Sequence, residues 1–449
     1  MRRAALGAGL AAALLASPVR ADDPAAALTA PPKTLAECVE IALAHHPSLG
    51  QAAAAVAAGD ARVWQAGSGY LPHVDAAYGA TRQKTSLTAR TGGSAGAGAG
   101  ATTAAQFFSF YDSNVGLSQV LFDFGQTLYG IRSAQASRRS LEADAATQRD
   151  AVVLGAKQAY FGVLAARRLR DVADETLRQA EQHLKLAQGR FDVGLAARFD
   201  VTQAQVQVAN ARLNQLTAHN NVAVALETLR NALGLRDPLD FDIVDTLDVH
   251  PALVDEPSAL AAAYDHRPEL HSVQERQQAL QAQIKSLQRS YLPSINGNAG
   301  YDWTGTDYPL RSGWNIGATV NLSLANGGLT TAQIGEARAN LHGLDFQEES
   351  LRQNIALEVR QDVLNLRQAQ ESIGVSQEGL RQADENLALA EGRYSTGVGS
   401  IVELTDAQTS RAGAAASAVQ ALYSYQTTLA ALEKAMGTEV RSGGGGGAP

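Results

Sequence analysis

The feature that most constrains this chain is an internal repeat, in which the same short motifs occur twice and in the same order. Tyr70-Leu71-Pro72 recurs 221 residues later as Tyr291-Leu292-Pro293. Leu186-Ala187-Gln188-Gly189-Arg190-Phe191 recurs 203 residues later as Leu389-Ala390-Glu391-Gly392-Arg393-Tyr394. Because each spacing holds over a long stretch, the chain consists of two copies of one structural unit. The two spacings differ by 18 residues, which fall in a Gly/Ala-rich stretch at 84–106 and predict an exposed loop.

The repeat divides the chain into five parts. A signal peptide is predicted at 1–21, where a basic start and an apolar run end in Val19-Arg20-Ala21, a pattern that signal peptidase cleaves. The first copy follows at 22–234 and the second at 258–437, with a connecting segment at 235–257 between them. The glycine-rich residues 438–449 predict a flexible tail.

Each copy contains two segments with the two-residue alternation of β-strands that have one apolar face. In the second copy, Ile316, Ala318 and Val320 alternate with small or polar residues. These segments have about the length of a membrane-spanning strand, roughly 9–11 residues, and aromatic residues lie near their ends. A small soluble β-sandwich would show the same alternation, so the pattern alone leaves both possibilities open. Strands are predicted at about 72–84, 107–122, 293–304 and 313–324.

Long helical hairpins follow the strands, at 126–234 in the first copy and 328–437 in the second. No proline interrupts residues 126–190, and a helix of that length spans about 95 Å. The next helix of the first hairpin carries a stripe of residues with the alternating three- and four-residue spacing of a coiled-coil seam, namely Val206, Ala209, Leu213, Leu216, Asn220 and Ala223. Because one hairpin cannot bury this stripe, we expect it to pack against the other copy and against other chains.

Composition and motifs argue against several functional classes. The formal net charge of -8 gives no electrostatic support for nucleic-acid binding. The single cysteine, Cys38, excludes an intrachain disulfide, and its helical surroundings predict a small buried residue. Asp123-Phe124-Gly125 copies a kinase triplet without the other kinase motifs, and His45-His46 has no second pair of metal ligands. The sequence therefore predicts a protein that is not an enzyme and has no cofactor or metal.

The repeated Tyr-Leu-Pro, the Leu-Phe-Asp-x-Gly turn and a Gly-Arg-Tyr-x-x-Gly signature resemble the TolC-like outer-membrane efflux proteins, also called outer membrane factors. The sequence Ile401-Val402-Glu403-Leu404-Thr405-Asp406 after that signature adds to the resemblance, which covers essentially all of 34–437. It implies an α+β membrane protein in which three chains share one transmembrane β-barrel, continuous with a long α-helical coiled-coil barrel. The β-barrel would lie in the lipid of the cell outer membrane and the helices in the periplasm. The loop at 84–106 would then lie at the extracellular end.

The resemblance implies a passive homotrimeric duct of a tripartite efflux or type I secretion system. Its partners would be a periplasmic adaptor (membrane fusion) protein and an inner-membrane transporter that supplies the energy. Family members export drugs, metal ions or polypeptides, and the sequence does not distinguish among these cargoes. A periplasmic adaptor-like coiled-coil protein is the alternative, although adaptors have one helical hairpin and not a duplicated unit.

The resemblance also implies roles for residues at the two hairpin turns. Gly194-Leu195 and Gly397-Val398 match the positions that meet the tip of the adaptor. Glu403 and Asp406 lie three residues apart on one helix face, so a trimer would carry two acidic rings at a periplasmic gate that favours cations. Stabilisation of a helix start is the alternative role for Glu403 and for Asp200, its counterpart in the first copy.

Asp200 and Tyr394 match a family pair that, with an arginine, holds the gate closed. The position of that arginine is Gly399 in this chain. The sequence therefore predicts a closure that is either looser than in the family or dependent on Arg198.

Overall fold

The computed structural model describes residues 30–85, 106–247 and 254–438. The predicted signal peptide, nearly all of the predicted loop and all but the first residue of the predicted tail lie outside these ranges. The first repeat and the connecting segment contain β1 (Ala30–Lys33), α1 (Leu35–His45), α2 (Pro47–Gly67), β2 (His73–Thr85), β3 (Gln106–Phe122), α3 (Gln126–Asp192), α4 (Arg198–Ala232) and β4 (Phe241–Ile243). The end of the connecting segment and the second repeat contain α5 (Glu256–His266), α6 (Pro268–Arg289), β5 (Ser294–Gly305), β6 (Arg311–Asn321), α7 (Leu329–Ser395) and α8 (Ile401–Met436).

A four-stranded antiparallel sheet in the order β2-β3-β5-β6 joins the two repeats. Its register aligns residues of like character across the strands. One face carries rows such as Val74, Leu117, Ala299 and Ile316. The other face carries rows such as Asp75, Gly116, Gly300 and Asn315. Because Val74, Trp314 and Ile316 are exposed, the described part of the chain leaves the apolar face uncovered.

The last strand ends earlier than the alternation predicts. β6 ends at Asn321 and not at 324, and Asn321 pairs with Ser294, the first residue of β5. Pro293 precedes Ser294 and has no backbone N–H, so the ladder does not continue beyond this pair. The apolar residues Leu322 and Leu324 therefore lie outside the sheet and are exposed.

Two helices of 67 residues each, α3 and α7, run the length of the helical part, about 100 Å. Each forms an antiparallel hairpin with the helix that follows it, α4 or α8. Near the sheet, α3 also packs against α2 and α6. None of the described helices combines the length and apolar character that crossing a membrane requires.

Each repeat has a small apolar core near the middle of its long helix. In the first, Tyr160 and Leu164 pack with Leu229 and with Cys38, which is fully buried as predicted. The connecting segment contributes β4, which pairs in parallel with β1. The core of the second repeat contains Ile355, Val359, Tyr425 and Leu432.

The Tyr-Leu-Pro motif and the Leu-Phe-Asp-x-Gly turn of the first repeat meet where β3 turns into α3. The Asp123 carboxylate accepts hydrogen bonds from the Tyr70 hydroxyl at 2.9 Å and from the N–H groups of Gly125 and Thr127 at 3.0 and 2.7 Å. Phe124 and Gly125 have φ of 54° and 89°, a left-handed conformation that turns the chain. Asp123-Phe124-Gly125 is therefore a helix start, and the Tyr-Leu-Pro motif fastens it.

We expect Tyr70→Phe to lower the stability of the folded protein by about 1 kcal/mol, because it removes one partly buried hydrogen bond and keeps the ring. Tyr291→Phe is the matched control, since the hydroxyl of the exposed Tyr291 bonds the exposed Thr331 hydroxyl at 2.8 Å and no other group among the described residues. Apparent melting temperatures of the two variants provide the measurement. Equal shifts would show that the Tyr70–Asp123 bond has no special role.

Candidate functional site

The first helix hairpin reverses through a left-handed glycine. Gly194 has φ of 76°, its N–H donates to the Phe191 carbonyl at 2.9 Å, and the Leu195 N–H donates to the Arg190 carbonyl at 2.8 Å. These two bonds are the Schellman arrangement that ends a helix at a glycine. A side chain at position 194 would meet open space, so the glycine is required by the backbone conformation and not by crowding.

The second hairpin repeats this geometry. Gly397 has φ of 83°, and the N–H groups of Gly397 and Val398 donate to the Tyr394 and Arg393 carbonyls at 3.1 and 3.0 Å. Leu195 and Val398, which follow the two glycines, are 71% and 72% exposed. Both hairpin tips therefore present an apolar side chain to their surroundings.

Arg190 connects the two hairpins and was not predicted from the sequence. Its guanidinium donates to the backbone carbonyls of Tyr394 and Ser395, the latter at 3.2 Å, and lies 5.1 Å from the centre of the Tyr394 ring. His183, two turns away on the same helix, lies 3.3 Å from the Glu391 carboxylate and adds a second link. Burial lowers the pKa of His183, although the charge of Glu391 opposes that shift.

Tyr394 is 3% exposed, and its hydroxyl has no hydrogen-bond partner among the residues that the structure describes. Burial, and then the charge of Asp200, raise the pKa of Tyr394. Tyr394 and Asp200, two of the predicted gate residues, are therefore electrostatic neighbours, but the Tyr394 hydroxyl is not bonded to the Asp200 carboxylate. Arg190 and not Asp200 makes the direct contacts with Tyr394.

The turn at position 399 has no room for a side chain, which explains why glycine and not the family arginine occurs there. A Cβ atom there would lie 2.9 Å from the Cβ of Arg393 and 3.1 Å from the Tyr394 nitrogen, so the turn would have to shift to accept a side chain. Arg198, the predicted substitute, is exposed and makes no ion pair within the described ranges. The cationic contact with Tyr394 comes from Arg190, whose repeat counterpart is Arg393.

The two predicted gate acids differ in their surroundings. The Glu403 N–H donates to the hydroxyl of Ser400, the N-cap of α8, at 3.1 Å, and the Glu403 carboxylate lies 3.4 Å from the Arg393 guanidinium. Asp406 is exposed and makes no ion pair in the described part of the chain. Glu403 thus contributes to the helix start and is partly neutralised, whereas the Asp406 charge has no counterion in the described structure.

Asp200 occupies the third position of α4 and lies in its first turn, as Glu403 does in α8. The residue before α4 is Ala197, which offers no capping side chain. Among the described residues, no group of three or more His, Cys, Asp or Glu side chains is arranged to hold a metal ion.

Relatives of known sequence match both repeats. The outer membrane efflux protein family matches residues 38–235 and 259–438. The outer membrane protein TolC of Salmonella enteritidis is 28% identical over 341 residues, which cover 72% of this chain and 68% of that protein. TolC of Escherichia coli strain K12 is 28% identical over 314 residues, which cover 65% of this chain and 62% of that protein. The matched region thus spans about two thirds of the length of these relatives.

Solved structures share the fold. The CmeC outer membrane channel of Campylobacter jejuni superimposes with a TM-score of 0.78 at 19% identity, over 92% of this chain and 87% of that one. A membrane protein from Pseudomonas aeruginosa gives 0.76 at 22% identity, over 90% and 93%. The fold is therefore TolC-like, and the adaptor alternative is not favoured. Because the family matches both repeats and most of its length, this chain belongs to the outer membrane efflux protein family and is, as predicted, an outer-membrane channel protein with a periplasmic helical part.

Proposed function

We propose that three copies of this chain form one passive export duct, with a shared β-barrel in the outer membrane and a shared helical tunnel in the periplasm. The observation that carries this proposal is the incomplete sheet of a single chain. Within the described residues the sheet has four strands with β2 and β6 as free edges, and four strands are too few to close a barrel. Pairing β2 of one copy with β6 of the next removes every edge and turns the apolar face toward lipid.

The helical part supports the same assembly. α4 packs on α3 through Val208 and Ala211, which meet Leu177 and Ala180. The predicted seam lies on the opposite side of α4, where Leu213 is 63% exposed. A stripe of this kind, which also includes Val206, Leu216 and Val224, requires a neighbouring helix from another copy.

The assembly is tested by its mass, its conductance and the exchange of its edge amides. Native mass spectrometry of the detergent-purified protein should give three copies, and planar bilayers should show ion-conducting channels. In the oligomer, amide hydrogens of β2 and β6 should exchange as slowly as those of the central strands β3 and β5, since all four would be paired. A monomer that conducts, or rapidly exchanging edge amides in a conducting oligomer, would exclude the shared barrel.

Partners are proposed from the hairpin tips. The exposed Leu195 and Val398 follow rigid glycine turns at the periplasmic end, and Val193, Phe199 and Val402 add exposed apolar surface beside them. Apolar groups on a rigid turn suit a complementary protein surface, here the tip of a periplasmic adaptor that connects the duct to an inner-membrane transporter. Gly194 and Gly397 set the turn, and Leu195 and Val398 would make the contact.

The same end of the tunnel is proposed to select cations. Three copies would place Asp406 and Glu403 in two stacked acidic rings, near Asp200 and Tyr394 of each copy.

We expect Asp406→Asn to lower the cation-to-anion permeability ratio by roughly twofold or more, because it removes three unpaired charges. Glu403→Gln should have the smaller effect, since Arg393 already balances that charge at 3.4 Å.

Reversal potentials in planar bilayers under a salt gradient measure this ratio. Glu40→Gln is the matched control, because Glu40 is an exposed acid on α1, away from the hairpin tips. An unchanged ratio in assembled channels of both Asp406→Asn and Glu403→Gln would contradict the acidic rings.

A further inference from the structure

A group of uncompensated cations surrounds one aromatic ring at the end of the helices nearest the sheet. The Arg132 guanidinium lies 5.1 Å from the centre of the Tyr129 ring, and the Lys285 ammonium and Arg289 guanidinium each lie 5.8 Å from it. Arg132 is on α3, whereas Lys285 and Arg289 are on α6. All three cations are exposed, and none of them forms an ion pair within the described ranges.

Tyr129, Arg132 and Lys285 line an open groove between α3 and α6, with a cavity volume of about 260 Å³, and Arg289 lies beside the groove on the same Tyr129 ring. Arg139 lies at its far end, where Glu275 pairs with it at 2.8 Å and the Gln278 amide oxygen accepts from it at 3.3 Å. The remaining lining adds amide groups and no acid, and includes Gln135, Gln278 and Gln281. Arg132 and Lys285 in the groove, with Arg289 beside the Tyr129 ring, therefore offer three positive charges that have no ion pair in the described structure. Together with the hydrogen-bond donors of the groove, they suit a phosphate group.

The charges are not a requirement of the fold, because the second copy of the repeat lacks them. The repeat counterparts of Tyr129 and Arg132 on α7 are Ala332 and Gly335. The counterpart of Lys285 is Trp64 on α2, and the counterpart of Arg289 is Ser68, the residue after α2 ends. At the equivalent positions the second copy carries one exposed cation, Arg338, the counterpart of Gln135. The three like charges around Tyr129, which repel one another, are therefore specific to α3 and α6. A role common to both repeats would require the same cations in both copies.

The groove lies directly below the sheet. α3 begins at Gln126, shortly after β3 ends at Phe122, and Arg289 is the last residue of α6 before β5 begins at Ser294. If the sheet spans the membrane, as proposed above, the groove is at the level of the lipid headgroups on the periplasmic side.

The groove also opens to the outside of the helical ring. α3 contacts α2 where Arg138 pairs with Asp60, and it contacts α6 where the Ser133 hydroxyl donates to the Ala279 carbonyl at 2.8 Å. Successive residues of a helix are rotated by about 100°, so these two contacts lie at different angles around the axis of α3. Two faces of α3, of unequal width, remain between them. The narrower face carries Gly130 and Ser137, and the wider carries Leu128, Arg132 and Gln135, with Arg139 at its edge where it pairs with Glu275 of α6. In a closed ring of helices the wider face is the convex one.

We propose that this groove binds the phosphate group of an anionic phospholipid, such as phosphatidylglycerol, in the periplasmic leaflet of the outer membrane. Arg132 and Arg289 supply guanidinium forks for the phosphate oxygens, and Lys285 adds a compact charge. Leu128, exposed on the same face of α3, lies where an acyl chain would begin. Basic pockets between helices at a membrane surface recognise anionic headgroups in this way. The inference rests on the proposed membrane position of the sheet.

The test is retention of lipid by the purified full-length oligomer, measured by native mass spectrometry after addition of phosphatidylglycerol or phosphatidylcholine. The wild type should retain phosphatidylglycerol roughly tenfold or more over phosphatidylcholine. The triple variant R132Q/K285Q/R289Q should lose that preference. The control R62Q/R212Q/R338Q removes the same number of exposed cations, none of which has an ion pair in the described structure, and should keep it.

Competition with inorganic phosphate identifies the ligand, and measurements of assembly and conductance separate this inference from the proposed function. If inorganic phosphate competes as strongly as phosphatidylglycerol, the groove is a site for free anions and the lipid assignment is wrong. Oligomeric mass and bilayer conductance are measured on the same samples. A conducting trimer whose groove variant retains phosphatidylglycerol normally would overturn the lipid site and leave the duct intact. A wild-type protein that neither assembles nor conducts would overturn the duct itself.

Discussion

Replacing Arg190 with serine is expected to open the periplasmic end of the channel and raise its conductance. Arg190 holds the second hairpin by donating to the Tyr394 and Ser395 carbonyls and by stacking over the Tyr394 ring at 5.1 Å. A charged hydrogen bond contributes about 1.5–3 kcal/mol and a cation–π contact about 0.5–1 kcal/mol. Loss of about 2–4 kcal/mol would increase the fraction of separated tips by roughly tenfold or more.

Arg393→Ser provides a control of the same chemistry at the equivalent position of the repeat. Arg393 pairs with Glu403 of its own hairpin at 3.4 Å and does not connect the two hairpins. Single-channel recordings in planar bilayers should therefore show larger or longer openings for Arg190→Ser than for Arg393→Ser. Equal conductance of Arg190→Ser and wild-type trimers would mean that Arg190 does not restrain the tips. An equal increase in both variants would point to a general effect of charge.

The second large effect concerns Asp362, a partly buried acid on α7. One turn earlier, Glu358 accepts hydrogen bonds from Arg267 and from Lys434, the latter at 3.3 Å. Burial, and then the charge of Glu358, raise the pKa of Asp362 to about 6. Burial also acts on Glu358, but its two cationic partners outweigh it and lower the pKa of that carboxyl. The cations of this cluster thus stabilise Glu358, while Asp362 faces a like charge.

The sign of the pH dependence follows from these two shifts. The pKa of Asp362 is about 6 in the folded chain, above its ordinary value of 3.8. Between these two pH values the folded state therefore binds more protons than the unfolded state. The free energy of unfolding falls by about 3 kcal/mol as pH rises from about 4 to about 6, and it stays lower above pH 6. We expect Asp362→Asn to stabilise the protein by up to about 3 kcal/mol at pH 7.5 and to change little at pH 4.

Glu358→Gln should have the opposite sign. Its lowered pKa means that the ionised carboxylate stabilises the folded chain above its ordinary value of 4.5, and this contribution is lost as the carboxyl is protonated. The variant should be less stable than the wild type at pH 7.5 and should approach it in acid. Apparent melting temperatures of the oligomers across this pH range give the measurement. If Asp362→Asn gains no more at pH 7.5 than at pH 4, the acid is ionised freely in the folded protein.

The sequence alone was sufficient for the helices and strands of each repeat, because these depend on local patterns. Side-chain alternation in β5 and β6 follows from the two-residue period of a strand, and the glycines at 194 and 397 follow from a left-handed conformation that only glycine adopts easily. The duplication gave each pattern a second, independent occurrence, and both repeats match the family as predicted.

The end of β6 shows how a local pattern can be overruled by a partner. Leu322 and Leu324 continue the alternation, but the neighbouring strand offers no N–H group at Pro293 and the pairing stops at Asn321. A strand ends where its ladder of hydrogen bonds ends, which depends on a segment about thirty residues away in the chain.

What only the tertiary structure decided is which side chains meet between the helices. Arg190 and Arg393 occupy equivalent positions in nearly identical motifs, yet one reaches across to the other hairpin and the other pairs within its own. The same holds for the cations around Tyr129, which come from α3 and α6, more than 150 residues apart. Local sequence determines where a helix begins and which residues share a face. The relative placement of long helices determines what that face contacts, and it arises from the packing of the whole chain.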